Sequence, residues 1–76
     1  MKVLIQNAED QKYLNGQNEW TAAATEARDF RMTSSAYRVA QAKPIQGFHV
    51  VFYFADLNYS INVMEGKGAG VLTAPM

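Results

Sequence analysis

The chain has 76 residues, with seven basic and seven acidic side chains, one histidine and no cysteine; 49% of residues are hydrophobic and 12% aromatic. That length suffices for one domain with a thin core. Without cysteine there are no disulfides or thiolate metal sites, and the lone His49 excludes a zinc centre built from His and Cys ligands. Balanced charge gives no field to steer the chain onto nucleic acid or anionic lipid, and little self-repulsion to keep copies apart.

No run approaches the roughly 20 apolar residues of a membrane span. The start, Met1-Lys2-Val3-Leu4-Ile5-Gln6-Asn7, turns polar too early for a signal-peptide core. A cytoplasmic protein with no membrane partner is the expectation. Val3-Leu4-Ile5 reads as a short, mostly buried strand ended by the polar run Asn7 to Gln11. Lys12-Tyr13-Leu14 follows as a second strand, with Ile5 opposite Leu14 and Gln6 opposite Tyr13. Asn15-Gly16 signals a type I′ hairpin turn, because both residues tolerate positive φ. Glu19-Trp20-Thr21 is the third strand of this N-terminal meander.

The middle of the chain changes character. Thr21 is placed to cap a short helical turn through Ala22–Ala27, since alanine favours helix. One helix from Ala22 to Lys43 is the alternative, but Thr33-Ser34-Ser35 is a poor helix interior and a good N-terminus. A helix from Ser34 or Ser35 then presents Ala36, Tyr37, Val39 and Ala40 to a sheet. It ends before Pro44, which pushes Lys43 out of the helical region.

Phe48 to Phe54 alternates, with Phe48, Val50, Phe52 and Phe54 on one face, and Tyr59 to Met64 alternates again. A four-residue loop pairs Phe54 with Tyr59, Phe52 with Ile61 and Val50 with Val63. The other face pairs Tyr53 with Ser60, Val51 with Asn62 and His49 with Met64. Residues 65–76 are glycine-rich and read as a flexible tail, so the single domain is taken as residues 1–64. The fold expected is α+β: a three-stranded N-terminal meander and a C-terminal hairpin in one antiparallel sheet, packed on one short α-helix. Its expected core is Val3, Ile5, Leu14, Trp20, Phe30, Tyr37, Ala40, Val50, Phe52, Phe54 and Ile61.

The string Lys12-Tyr13-Leu14, Asn15-Gly16, Trp20-Thr21, Glu26-Ala27-Arg28-Asp29-Phe30 and Ser34-Ser35-Ala36 resembles small uncharacterised bacterial and phage proteins. In those a Tyr-Leu strand leads to Trp-Thr, then an Ala-Arg-x-Phe segment and a helix. The resemblance covers residues 12–42. It implies an α+β fold and a microbial source, and it carries over no activity and no functional residue.

Few residues carry chemistry. His49 is a candidate acid or base, but no cysteine exists and no serine or carboxylate is tied to it by local spacing. No catalytic residue and no enzymatic activity are therefore expected. The carboxylates Glu9, Asp10, Glu19, Glu26, Asp29, Asp56 and Glu65 lie scattered in turns and on helix surface, without the spacing of a calcium or magnesium loop. Gly66-Lys67-Gly68-Ala69-Gly70 lacks the following Ser or Thr and the helix of a phosphate-binding loop. Asn58-Tyr59-Ser60 matches a glycosylation acceptor with no secretion signal beside it. No cofactor or metal is expected.

Two binding surfaces remain. A thin two-layer domain leaves one sheet face open, and His49, Val51, Tyr53 and Met64 would form it, as a docking site for a protein or a second copy. Alternatively Arg28, Arg31, Arg38 and Lys43, with an exposed aromatic, would bind single-stranded nucleic acid. A small non-enzymatic protein-interaction module is the leading expectation and a weak nucleic-acid binder the second.

Overall fold

The computed structural model describes residues 1–69. Its architecture is α+β: one five-stranded antiparallel sheet and one α-helix. The strands are β1 (Lys2–Asn7), β2 (Tyr13–Leu14), β3 (Trp20–Thr21), β4 (Gly47–Phe54) and β5 (Tyr59–Lys67), in the order β3-β2-β1-β4-β5. The helix α1 (Thr33–Gln41) lies against β1, β4 and β5. Among the described residues no helix is long and apolar enough to cross a membrane.

The meander forms with Gln6 opposite Tyr13, as the loop length predicts. Asn7 holds that loop: its Oδ1 accepts the Glu9 N–H, and its N–H donates to the Lys12 carbonyl. The next turn departs from the expected type I′. Asn18, at φ 67°, takes the left-handed position, and none of the glycines among the described residues has positive φ. The Asn15 side chain accepts from the Gln17 and Glu19 N–H groups, fixing a three-residue loop in place of a two-residue one.

After β3, Thr21 Oγ1 accepts the Ala23 N–H, and a single 3₁₀ turn covers Ala24–Glu26 without a side-chain cap. The chain then runs extended. Ala27 bridges Asn15, the Arg28 N–H donates to the Leu14 carbonyl, and the Phe30 N–H donates to the Val3 carbonyl. Residues 27 and 28 thus lie against the end of β2, and residues 29 and 30 against the start of β1. Asp29 locks this strap: its Oδ1 accepts from both the Val3 and Arg31 N–H groups. Arg31 has a φ of 71°, a left-handed conformation that reverses the chain into α1. The helix is separate from the 3₁₀ turn, so a single helix over residues 22–43 does not form.

Ala36 and Ala40, four residues apart on α1, are fully buried, and their small size seats the helix close to the sheet. Beneath them lie Val3, Ile5, Leu14, Phe30, Ile45, Phe48 and Val50, with Trp20, Tyr37, Val39 and Phe52 at the margin. The opposite sheet face holds a second, smaller core of Leu4, Ala27, Val51 and Tyr53. The sheet therefore has a helix on one side and the strap on the other.

The C-terminal hairpin keeps the expected register from Phe54↔Tyr59 to Val51↔Asn62. A β-bulge then intervenes, so Val50 pairs with Met64 and His49 with Glu65, in place of Val63 and Met64. β5 continues to Lys67, and the Gly68 and Ala69 N–H groups donate to the carbonyls of Gln46 and Lys43. Residues 65–69, read from the sequence as the start of a flexible tail, extend the sheet and close it against the end of α1; the rest of that segment lies outside the described residues. Gly66 is required there, since a Cβ would stand 2.5 Å from Phe48 Cζ and 2.9 Å from Tyr37 Cε1. Those two rings meet edge to face at 5.3 Å.

Candidate functional site

The structure separates the four residues expected to form an open sheet face. Val51 is 1% exposed and Tyr53 5%, both under the strap that brings Ala24 and Ala27 across them. The Tyr53 hydroxyl donates to Asn58 Oδ1 and so serves the hairpin loop. Met64 sits on the other side of the sheet, because the bulge shifts its partner from His49 to Val50. Only His49 keeps its expected place, half-buried, with Nε2 3.9 Å from Glu65 Oε2.

His49 lines a shallow hollow of about 330 Å³ with Glu9, Gln46, Gly47, Glu65 and Lys67. Its Nδ1 is buried and has no hydrogen-bond partner among the described residues. No nucleophile joins the hollow, and the described residues contain no cluster of three His, Cys, Asp or Glu that could hold a metal. Chemically the hollow offers two carboxylates, one ammonium and one imidazole whose Nε2 faces Glu65 and whose Nδ1 has no partner among the described residues.

The basic residues also scatter. Arg28 lies over the Phe30 ring at 4.5 Å, so this guanidinium covers apolar surface. Arg31 and Lys2 stand near Asp29, whose carboxyl is held below its ordinary value. The Val3 N–H is the main cause, opposed by slight burial and helped by the Arg31 N–H and the two cations. Arg38 is on the last turn of α1, and Lys43, beyond the helix, hydrogen-bonds Asn18. These cations belong to three different elements, and three of them already have partners in the fold.

Met1, Met32 and Leu57 are exposed singly, and four further exposed apolar side chains lie together on β5. Tyr59, Ile61, Val63 and Met64 are 54%, 44%, 38% and 38% exposed. Tyr59, Ile61 and Met64 pair with Phe54, Phe52 and Val50, placing them on the helix side of the sheet beyond the reach of α1. Phe54 and Tyr59 stack at 6.4 Å near the hairpin tip. Ile61, expected in the core, is thus at the surface. Alternation assigns a side chain to a face, but says nothing of whether its strand lies at the centre or the edge, and β5 is an edge strand.

Comparison with protein families, with curated proteins and with solved structures finds no match to this chain.

Proposed function

We propose that the protein is a small non-enzymatic interaction module of the cytoplasm that binds protein through the outer part of the β4–β5 hairpin. The observation that carries this reading is the edge strand β5, on which Tyr59, Ile61, Val63 and Met64 stand exposed together. Scattered apolar residues on a surface need no explanation, but four within six positions of one strand form a continuous patch. The half-buried rings of Phe52 and Phe54 extend it. A partner covering this patch would remove apolar area from water and satisfy the open backbone edge at once.

The test is capture from nuclease-treated lysate of the source organism, with the wild-type chain and with Ile61→Glu. A protein held by the first and lost by the second, with unchanged circular dichroism, is the expected result. Equal retention by both would move the contact surface elsewhere, and retention that disappears with nuclease would favour the basic residues.

A further inference from the structure

Among the described residues no strand pairs with the outer edge of β5, and the backbone groups on that edge match those of a second copy of it. The Ala8 N–H donates to the Gly47 carbonyl, so Gly47 directs its backbone groups towards β1. In an antiparallel ladder such groups alternate. His49, Val51 and Tyr53 therefore also face β1, in agreement with the unbroken β1–β4 register. Their partners across the hairpin are Lys67 (with Gly47), Glu65, Asn62 and Ser60. These four residues of β5 must turn their N–H and C=O groups away from β4, towards the free edge. The Gly68 N–H, which donates to the Gln46 carbonyl, confirms the alternation from the other side.

The positions 60, 62, 65 and 67 read the same in both directions about the Val63–Met64 bond. The bulge fixes the register of this symmetry: an evenly spaced row could slide by two residues and still match, whereas with the extra residue only the pairing centred on this bond matches all four positions across the bulge. An antiparallel second β5 laid along the edge sets Ser60 opposite Lys67 and Asn62 opposite Glu65, twice over, with every outward group meeting an outward group. Each bulge lies against the other's bulge, so the ladder is not thrown out of step.

The side chains fit the same register. On the face away from α1, Glu65 meets Asn62 and Lys67 meets Ser60, so no like charges stand directly opposite. On the helix face, Ile61 lies across from Gly66, over the rings of Tyr37 and Phe48 that pack there. We infer that the partner of the hairpin is a second copy of this chain, joined β5 to β5 about a two-fold axis through the Val63–Met64 segment. The product is one continuous sheet of ten strands, five from each copy. This rests on the reading of the hairpin as a contact surface and gives that surface its occupant.

The experiment is sedimentation of the purified full chain over concentration, for the wild type and for Glu65→Pro. Proline at position 65 removes an N–H that points outward, so it blocks the new ladder and spares the β4–β5 bonds. The wild type is expected to pass from monomer to dimer between about 1 and 100 µM, the range of a modest interface. Glu65→Pro is expected to stay monomeric with a wild-type spectrum. A wild type that is monomeric at about 1 mM overturns the proposal. So does a folded Glu65→Pro that still dimerises.

Should the variant not fold, amide exchange on the wild type decides. The N–H groups of Ser60, Asn62, Glu65 and Lys67 must slow at dimer concentrations relative to dilute protein. Unchanged exchange at all four overturns the two-fold ladder. A monomer that still loses a lysate partner on Ile61→Glu sinks the dimer alone, whereas a monomer with no such partner removes the contact surface as well.

Discussion

At the scale of single residues, Asp29 joins the strap to β1. Its carboxylate accepts from Val3 and Arg31, and Phe30 beside it donates to the Val3 carbonyl. Asp29→Ala is expected to lower stability by about 1 kcal/mol in urea titrations, a modest figure because the group is exposed and solvent-screened. The pH dependence follows from the depressed pKa of the folded state. Stability from Asp29 is fully present above the unfolded carboxyl value of about 3.9 and is lost as pH falls through the lower folded value. Asp29→Asn keeps an acceptor and removes the titration, so its urea midpoint should fall less than that of the wild type between pH 6 and pH 3. Gly66 makes a different demand, since a methyl group there collides with Phe48 and Tyr37. Gly66→Ala is expected to cost about 1–3 kcal/mol, measured by thermal unfolding.

At the scale of elements, the two faces of the hairpin predict opposite outcomes for similar substitutions. Val51→Glu places a charge under the strap, where an uncompensated buried charge costs about 3–5 kcal/mol, and should abolish the cooperative thermal transition. Ile61→Glu lies at the surface and should shift stability by no more than about 0.5 kcal/mol. Much of this architecture was legible in the sequence. Alternation in Phe48–Phe54 and Tyr59–Asn62 fixes two strands and their pairing, and Ser34-Ser35 with Pro44 brackets the helix within two residues. The bulge was not legible, because Val63 and Met64 are both apolar and either one continues the pattern. The strap was hidden for a related reason. Alanines at 22–24 and 27 signal helix by propensity, whereas tertiary bonds to Leu14 and Val3 draw residues 27–30 into extended form. The expectation of an open face at Val51 and Tyr53 came from reading the domain as two layers, whereas Ala24 and Ala27 pack across that face.

For the molecule as a whole, the charge balance bears on which partner the surface takes. Seven basic and seven acidic groups leave no net field, and the structure does not gather Arg28, Arg31, Arg38 and Lys43 onto one element. The chain is therefore expected to flow through a heparin column at about 150 mM salt, where exposed charges are screened beyond about 8 Å. Retention there would revive the nucleic-acid alternative. The core is divided into two layers, each anchored on β1 and β4. β1 and β4 are thus packed on both faces, and four of the exposed large apolar side chains stand on the outermost strand.

The two borders of the sheet are unequal. β3 has two residues before the chain leaves it for the strap, while β5 has nine. A sheet open at both borders can add copies without end, which is the route to fibres. In the proposed β5-to-β5 pair one encounter would consume the longer of the two described borders, and the new particle would show β3 at each extremity. The strand that looks most prone to aggregation is in this geometry self-terminating. Concentrated solutions should then scatter light as particles of one finite size.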